Sequence, residues 1–171
     1  MNFLELAKAR FSVRSFKKDP IEEEKLNAIL EAGRVSPSAC NKQPQKVFVI
    51  QSEEARAKLA SVCRFTFDAP VILAVCYDKT RAWQNDLMPG YQSGETDAAI
   101  VCTHMMLEAW SLGIGSCWVG WYNADEITEA LAIPENFVLS ALLPIGYPAD
   151  DAKPTKLHTK IRDFEDTIKV L

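Results

Sequence analysis

One stretch constrains the fold more than any other: Glu95 to Trp121, ETDAAIVCTHMMLEAWSLGIGSCWVGW. From Asp97 to Gly113 the apolar positions are 98–102, 105–107, 109, 110 and 112. At about 100° per residue they cover most of a helix circumference. Only Asp97, His104, Glu108 and Ser111 share a narrow polar stripe. A helix apolar nearly all round is expected to be buried nearly all round. Gly113 and Gly115 stop it, as glycines do at helix C-termini. The next residues, Ser-Cys-Trp-Val-Gly-Trp, form a short apolar run that suits a buried strand. That strand ends at Gly120, a position where a neighbour can approach the backbone closely.

The 171 residues suit a single domain with a sizeable core. The net charge of −4 argues against nucleic acid as the main partner. No basic-led apolar segment opens the chain, so no signal peptide is expected. Asp97, His104 and Glu108 interrupt the apolar helix, so it is not read as membrane-spanning. The cysteines at 40, 63, 76, 102 and 117 include no Cys-x-x-Cys and read as buried reduced thiols of a cytoplasmic protein. His104 and His158 are the only histidines and lack ligand spacing, so no metal site is expected.

Elsewhere the pattern predicts helices over Asn2 to Phe11, Ile21 to Gly33 and from Ser52 to about Cys63. Asp19 is the expected cap of the second, with Pro20 in its first turn. A further helix, Ala124 to Ala132, is capped by Asn123. Strands are expected at Val47 to Gln51, Val71 to Tyr77 and Phe137 to Ile145. Val35 to Gln45 is a polar loop held by Pro37 and Pro44. Thr80 to Gly94 reads either as a partly ordered lid or as a surface helix. The charged tail carries apolar marks at Ile161, Phe164 and Ile168 and packs on the molecule or on a second subunit. Five helices and four strands without repeats make an α+β or α/β chain, with helices on the faces of one sheet.

Two basic segments stand out. Residues 8–18 hold Lys8, Arg10, Arg14, Lys17 and Lys18, and residues 153–162 hold Lys153, Lys156, Lys160 and Arg162, both without an acid. They are either two solvated faces or two arms converging on one anion. In an extended segment Arg10, Ser12 and Arg14 project to one side. Two guanidinium forks and a hydroxyl there suit a phosphate. Asn41 and Gln43, between prolines, suit the hydrogen-bonding edge of a planar ligand, or else satisfy their own loop. Gly113-x-Gly115 is no dinucleotide fingerprint: residue 118 is Trp, and the glycines follow a helix and open a strand. Ser38, Ser116 and the cysteines lack a histidine at recognisable spacing, and His104 with Glu108 reads as a structural pair. No catalytic side chain is assigned; a bound cofactor is left to carry any chemistry.

As a set, the motifs resemble the FMN-dependent nitroreductase family in its compact form. They are Arg-x-Ser-x-Arg, Pro-Ser-x-x-Asn-x-Gln-Pro, Asp-Ala-Ala-Ile, Gly-x-Gly-Ser-Cys-Trp-Val-Gly, Ile-Pro-Glu and Pro-Ile-Gly-Tyr-Pro, in the family order and across almost the whole chain. The resemblance implies an α+β, three-layer fold whose central mixed, mostly antiparallel sheet is flanked by helices. It implies an intertwined homodimer with two FMN sites at the subunit interface. It also implies ping-pong transfer from NADH or NADPH through FMN to a nitroaromatic, quinone or similar acceptor. Arg10, Ser12 and Arg14 match positions that hold the FMN phosphate and ribityl chain. Pro37, Ser38, Ala39 and Asn41, with Gln43 beside them, match a loop that reaches flavin from the partner subunit. Val119, Gly120 and Trp121 match the stretch near the flavin ring. The tail departs from the family pattern at Asp163-Phe-Glu-Asp166, which lacks the usual proline, so Lys160 and Arg162 are both candidates for a further phosphate cation. Trp121 is bulkier than the residue usual there, which implies either a narrowed substrate pocket or an indole stacked on flavin. The same resemblance admits a flavin carrier or sensor with little turnover, or other flavin chemistry such as dehalogenation or flavin breakdown.

Overall fold

The computed structural model describes residues 2–171. Its sheet has four strands, β1 (Gln45–Ile50), β2 (Val71–Asp78), β3 (Gly115–Ser116) and β4 (Phe137–Gly146), in the order β1-β2-β4-β3. All three pairings are antiparallel, and an isolated bridge between Ser12 and Ser116 is parallel. Every residue of β2 is buried, because helices cover both faces. Val71, Leu73, Val75 and Tyr77 pack with α2 (Glu23–Arg34) and α4 (Gly94–Ser111). Ile72, Ala74 and Cys76 pack with α3 (Glu53–Val62) and α5 (Ala124–Ala130). The result is the α+β three-layer arrangement expected of the sequence. A bulge interrupts the β2–β4 register, which passes from Val75–Ala141 to Cys76–Leu139 and leaves Ser140 unpaired. The extra residue shifts the alternation, so Leu139 and Leu142 reach the same core.

Local chemistry sets the helix starts. Asn2 accepts from the Glu5 N–H at 2.9 Å while the Glu5 carboxylate accepts from the Asn2 N–H, a capping box opening α1 (Phe3–Ala9). Ser52 accepts from Ala55 and Asn123 from Asp125, capping α3 and α5 as expected. The second helix departs from expectation: it starts at Glu23, and Asp19 does not cap it. Glu22 is drawn out of the helical turn instead, where it accepts from the Tyr147 hydroxyl at 2.5 Å.

The predicted strand from Ser116 to Trp121 is also broken. Only Gly115–Ser116 forms regular ladder, although Cys117 donates to Pro144 O at 3.2 Å and Val119 exchanges two bonds with Leu142. Pro144 has no N–H to return opposite Cys117, so the ladder cannot continue through it. Residues 80–93 form turns closed by a Gln84–Gln92 bridge, not a helix, and Gly94 already opens α4. α5 stops at Ala130, short of Ala132, whose φ is 51°. The tail adds a single turn, α6 (Phe164–Thr167), with Phe164, Ile168 and Val170 exposed.

The central helix is not buried all round in the single chain. Val101, Cys102, Met105 and Ala109 are buried, whereas Ile100 and Leu107 are half-buried and Thr103 and His104 are exposed. His104 and Glu108 do not pair; the His104 Nδ1 lies 2.9 Å from the Ile100 carbonyl. No described helix is long and apolar enough to cross a membrane.

Candidate functional site

The chain leaves α1 at Arg10 and runs extended beside β3. Phe11 packs edge-on against Trp110, with ring centres 5.1 Å apart, and Val13 donates to Ser116 O at 2.9 Å. The Val13 side chain is fully buried against Gly115. A Cβ on residue 115 would lie 2.7 Å from Val13 Cγ2, so the close approach of these segments requires glycine there. With Val13 turned inward, alternation turns Ser12 and Arg14 the other way. The Arg14 Nη1 donates to Ser12 O at 3.3 Å. Burial pushes the Cys117 thiol up, while the Arg14 and Arg10 charges pull it back; its Sγ donates to Trp118 O at 3.8 Å. Ser12 bridges to Ser116, next to Cys117, so the segment runs alongside that thiol. Neither arginine forms an ion pair among the described residues. Ser116, paired to Ser12, has a buried hydroxyl without a hydrogen-bond partner. Cations and hydroxyls without an acid form a receptor for an anion.

The Pro37–Gln43 loop is built differently. Its middle is a one-turn 3-10 helix, Ala39–Asn41. Cys40, Asn41 and Gln43 have φ of 48°, 52° and 48°, left-handed values that cost non-glycine residues energy and persist only when their surroundings impose them. Ser38 helps to impose them, with its hydroxyl accepting from Gln43 N at 2.9 Å and its carbonyl from Asn41 N at 3.0 Å. Asp97 supplies the outer anchor. Its carboxylate, only 1% exposed, accepts from the Ala39 N–H at 2.9 Å and the Ser93 hydroxyl at 2.7 Å. The Gln43 Nε2 donates to Asn41 Oδ1, leaving the Asn41 NH2 and the Gln43 carbonyl on an exposed surface. Pro37 is exposed beside them.

Val119 is buried beneath β4's edge, Gly120 is exposed, and Trp121 is 73% exposed. The Trp121 ring stacks on Phe65, 5.3 Å between centres and 26° between planes, with the Arg64 guanidinium against both. Of the tail cations, Lys160 and Arg162 are exposed, and Arg162 donates to Asp166 O at 3.0 Å. Neither bonds to Arg10, Ser12 or Arg14; the tail approaches that segment through His158, whose ring lies 6.3 Å from that of Phe11.

The two clusters do not meet within the chain. The Pro37–Gln43 loop is tied to α4 at Asp97 and the Arg10–Arg14 segment at Trp110, thirteen residues further on. At 1.5 Å rise per residue those anchors lie roughly 20 Å apart along the helix axis. Sequence reading missed Asp97 as an anchor and Arg64, Phe65 and Ser93 altogether. For Asp97 a signal existed: an acid in the first turn of an otherwise apolar helix is buried only with partners.

Residues 7–64 and 63–147 match the family model described as Nitroreductase family. The FMN reductase (NAD(P)H) of Bacillus subtilis strain 168 is 31% identical over 175 residues, spanning 91% of this chain and 70% of that protein. A nitroreductase family protein from Clostridium difficile 630 has a similar structure, with a TM-score of 0.91, 36% identity and coverage of 99% of this chain and 98% of that one. A protein from Exiguobacterium sibiricum 255-15 solved in complex with FMN matches at a TM-score of 0.85 and 25% identity, covering 100% and 98%.

Proposed function

The chain belongs to the nitroreductase family, and from that premise we propose that it is an FMN-dependent oxidoreductase fed by NADH or NADPH. Bound FMN would supply the redox chemistry, a ping-pong hydride transfer from the nicotinamide to a nitroaromatic, quinone or similar acceptor. The residues present fit such a group. Arg10, Ser12 and Arg14 offer a phosphate two guanidinium groups and a hydroxyl with no competing carboxylate. Pro37, Ser38, Ala39, Asn41 and Gln43 offer a rigid loop with a free amide donor and acceptor for the planar edge. The exposed Gly120 backbone, between Val119 and Trp121, offers a close approach. Lys160 and Arg162 are the tail's candidates for a further cation on the phosphate.

The observation that carries this reading is the division of the site between opposite ends of α4. Two chains related by a two-fold axis, with their α4 helices antiparallel, would bring the arginine cluster of one to the loop of the other. The half-exposed stripe of Ile100, Thr103, His104 and Leu107, and the apolar tail at Ile161, Phe164 and Ile168, support such a homodimer. Residues 1–171 then act as one FMN-binding domain. Four buried reduced cysteines favour a cytoplasmic setting.

The absorption spectrum of the purified protein tests the reading, followed by rapid mixing with NADH and NADPH separately. The expected result is a yellow protein bleached by at least one nicotinamide and reoxidised by a nitroaromatic or quinone. Colourless protein that takes up no added FMN overturns it. Bound FMN that neither nicotinamide reduces would make the protein a flavin carrier or sensor.

A further inference from the structure

Trp121, at the edge of the stretch assigned to the flavin ring, is joined by Arg64 and Phe65, to which the phosphate and flavin contacts give no role. The Trp121 ring stacks on Phe65, and the Arg64 guanidinium carbon lies 4.7 Å from the Phe65 ring centre and 4.9 Å from that of Trp121. The three line an open cleft of about 600 Å³ with Cys63, Tyr122 and Asn123. Trp121 keeps most of its surface in solvent, and Arg64 enters no ion pair among the described residues. The neighbouring Asn123 is already committed, accepting from Asp125 N and donating to the Glu126 carboxylate at 2.8 Å.

A guanidinium held against aromatic rings keeps its edge N–H donors free for a bidentate anion. An exposed indole beside it offers a face on which a second plane can stack. We propose that Arg64, Phe65 and Trp121 form a recognition shelf that selects planar aromatic acceptors bearing a carboxylate. This rests on the oxidoreductase reading, because Trp121 adjoins Gly120, where the ring-binding backbone is assigned. Reducing such an acceptor's nitro group to nitroso takes two electrons and two protons, the hydride from NAD(P)H and one proton from solvent, and releases one water.

The test compares 4-nitrobenzoate with its methyl ester, which keeps the plane and loses the charge. The kcat/KM ratio of acid to ester is measured for the wild type, Arg64→Leu, Arg64→Lys and Trp121→Leu. Titration calorimetry of 4-nitrobenzoate, with no nicotinamide present, gives binding independently of turnover. The ratio and the acid's affinity should fall about tenfold in Arg64→Leu, the scale of one charge-assisted hydrogen bond, with partial recovery in Arg64→Lys. An acid-to-ester ratio and affinity equal in wild type and Arg64→Leu would overturn the proposal. So would an Arg64→Leu variant that changes only subunit dissociation or FMN retention, which would make the shelf a subunit or cofactor contact. Should the protein bind no FMN and oxidise neither nicotinamide, the oxidoreductase reading fails, and the calorimetry still decides the shelf.

Discussion

The Asp97 carboxylate accepts the Ala39 N–H at 2.9 Å, joining residues 58 apart in sequence and fastening the strained loop to the first turn of the central helix. Asp97→Ala removes that acceptor and leaves the Ala39 N–H and Ser93 hydroxyl unmatched beneath the loop. A loss of about 2–4 kcal/mol in unfolding free energy is expected, with weaker FMN binding. Asp97→Asn keeps an oxygen toward Ala39 and should lose less than half as much. Urea denaturation and FMN titration of both variants measure this; equal losses would show that the carboxylate's charge, not its acceptor geometry, sets the loop.

Arg10→Ala and Arg14→Ala should each weaken FMN by about 1.5–3 kcal/mol, the scale of a hydrogen bond to a charged group. Thermal stability of the cofactor-free protein should change little, since neither arginine forms an ion pair among the described residues. Unchanged affinity in both would mean that the cluster is a solvated face.

Ile100 and Leu107 share the half-exposed side of α4. Ile100→Asp or Leu107→Asp is expected to convert dimer to monomer and release FMN while preserving helicity. Sedimentation velocity and circular dichroism read the two effects. A dimer that survives both substitutions would place the interface elsewhere.

Burial pushes the Cys76 and Cys102 thiols from 9.0 up to about 12. Unfolded, they ionise near 9; folded, they stay protonated. The fold therefore retains protons that the unfolded chain has lost between about pH 9 and 12. Stability is full below that window and falls as pH rises through it, by up to about 1.4 kcal/mol per pH unit for each thiol. Cys102→Ala should flatten the alkaline decline of the urea midpoint, and an unaltered slope would refute this. Exposed Cys40 should be the thiol that reacts first with a disulfide reagent at neutral pH.

Short-range signals are legible in the amino-acid order itself. The β2 run of eight buried residues, the Ser52 and Asn123 caps and the glycine stop after α4 each depend on neighbours within a turn or a strand. What escapes depends on contacts made by folding. The β3 ladder stops because Pro144 arrives opposite Cys117, which no local pattern around residue 117 reveals. α2 starts late because Tyr147, from the far end of the chain, takes the Glu22 carboxylate. Asp97 reads as part of a polar stripe with the exposed His104, but the Ala39 loop and Ser93 fold over it at the first turn and bury it. For the candidate site, Arg10, Ser12 and Arg14 are visible as a spaced motif, whereas the Arg64–Phe65–Trp121 stack joins segments with no common signature.

The separation of the Asp97 and Trp110 anchors along α4 has a genetic consequence. In the proposed dimer each pocket draws on both chains, so two inactive variants can repair one another. Co-expressing Arg10→Ala/Arg14→Ala with Asp97→Ala would yield hybrid dimers holding one pocket with both lesions and one with neither. A random mixture of subunits would then recover about a quarter of the wild-type pockets, whereas variants that each spoil both halves would recover none.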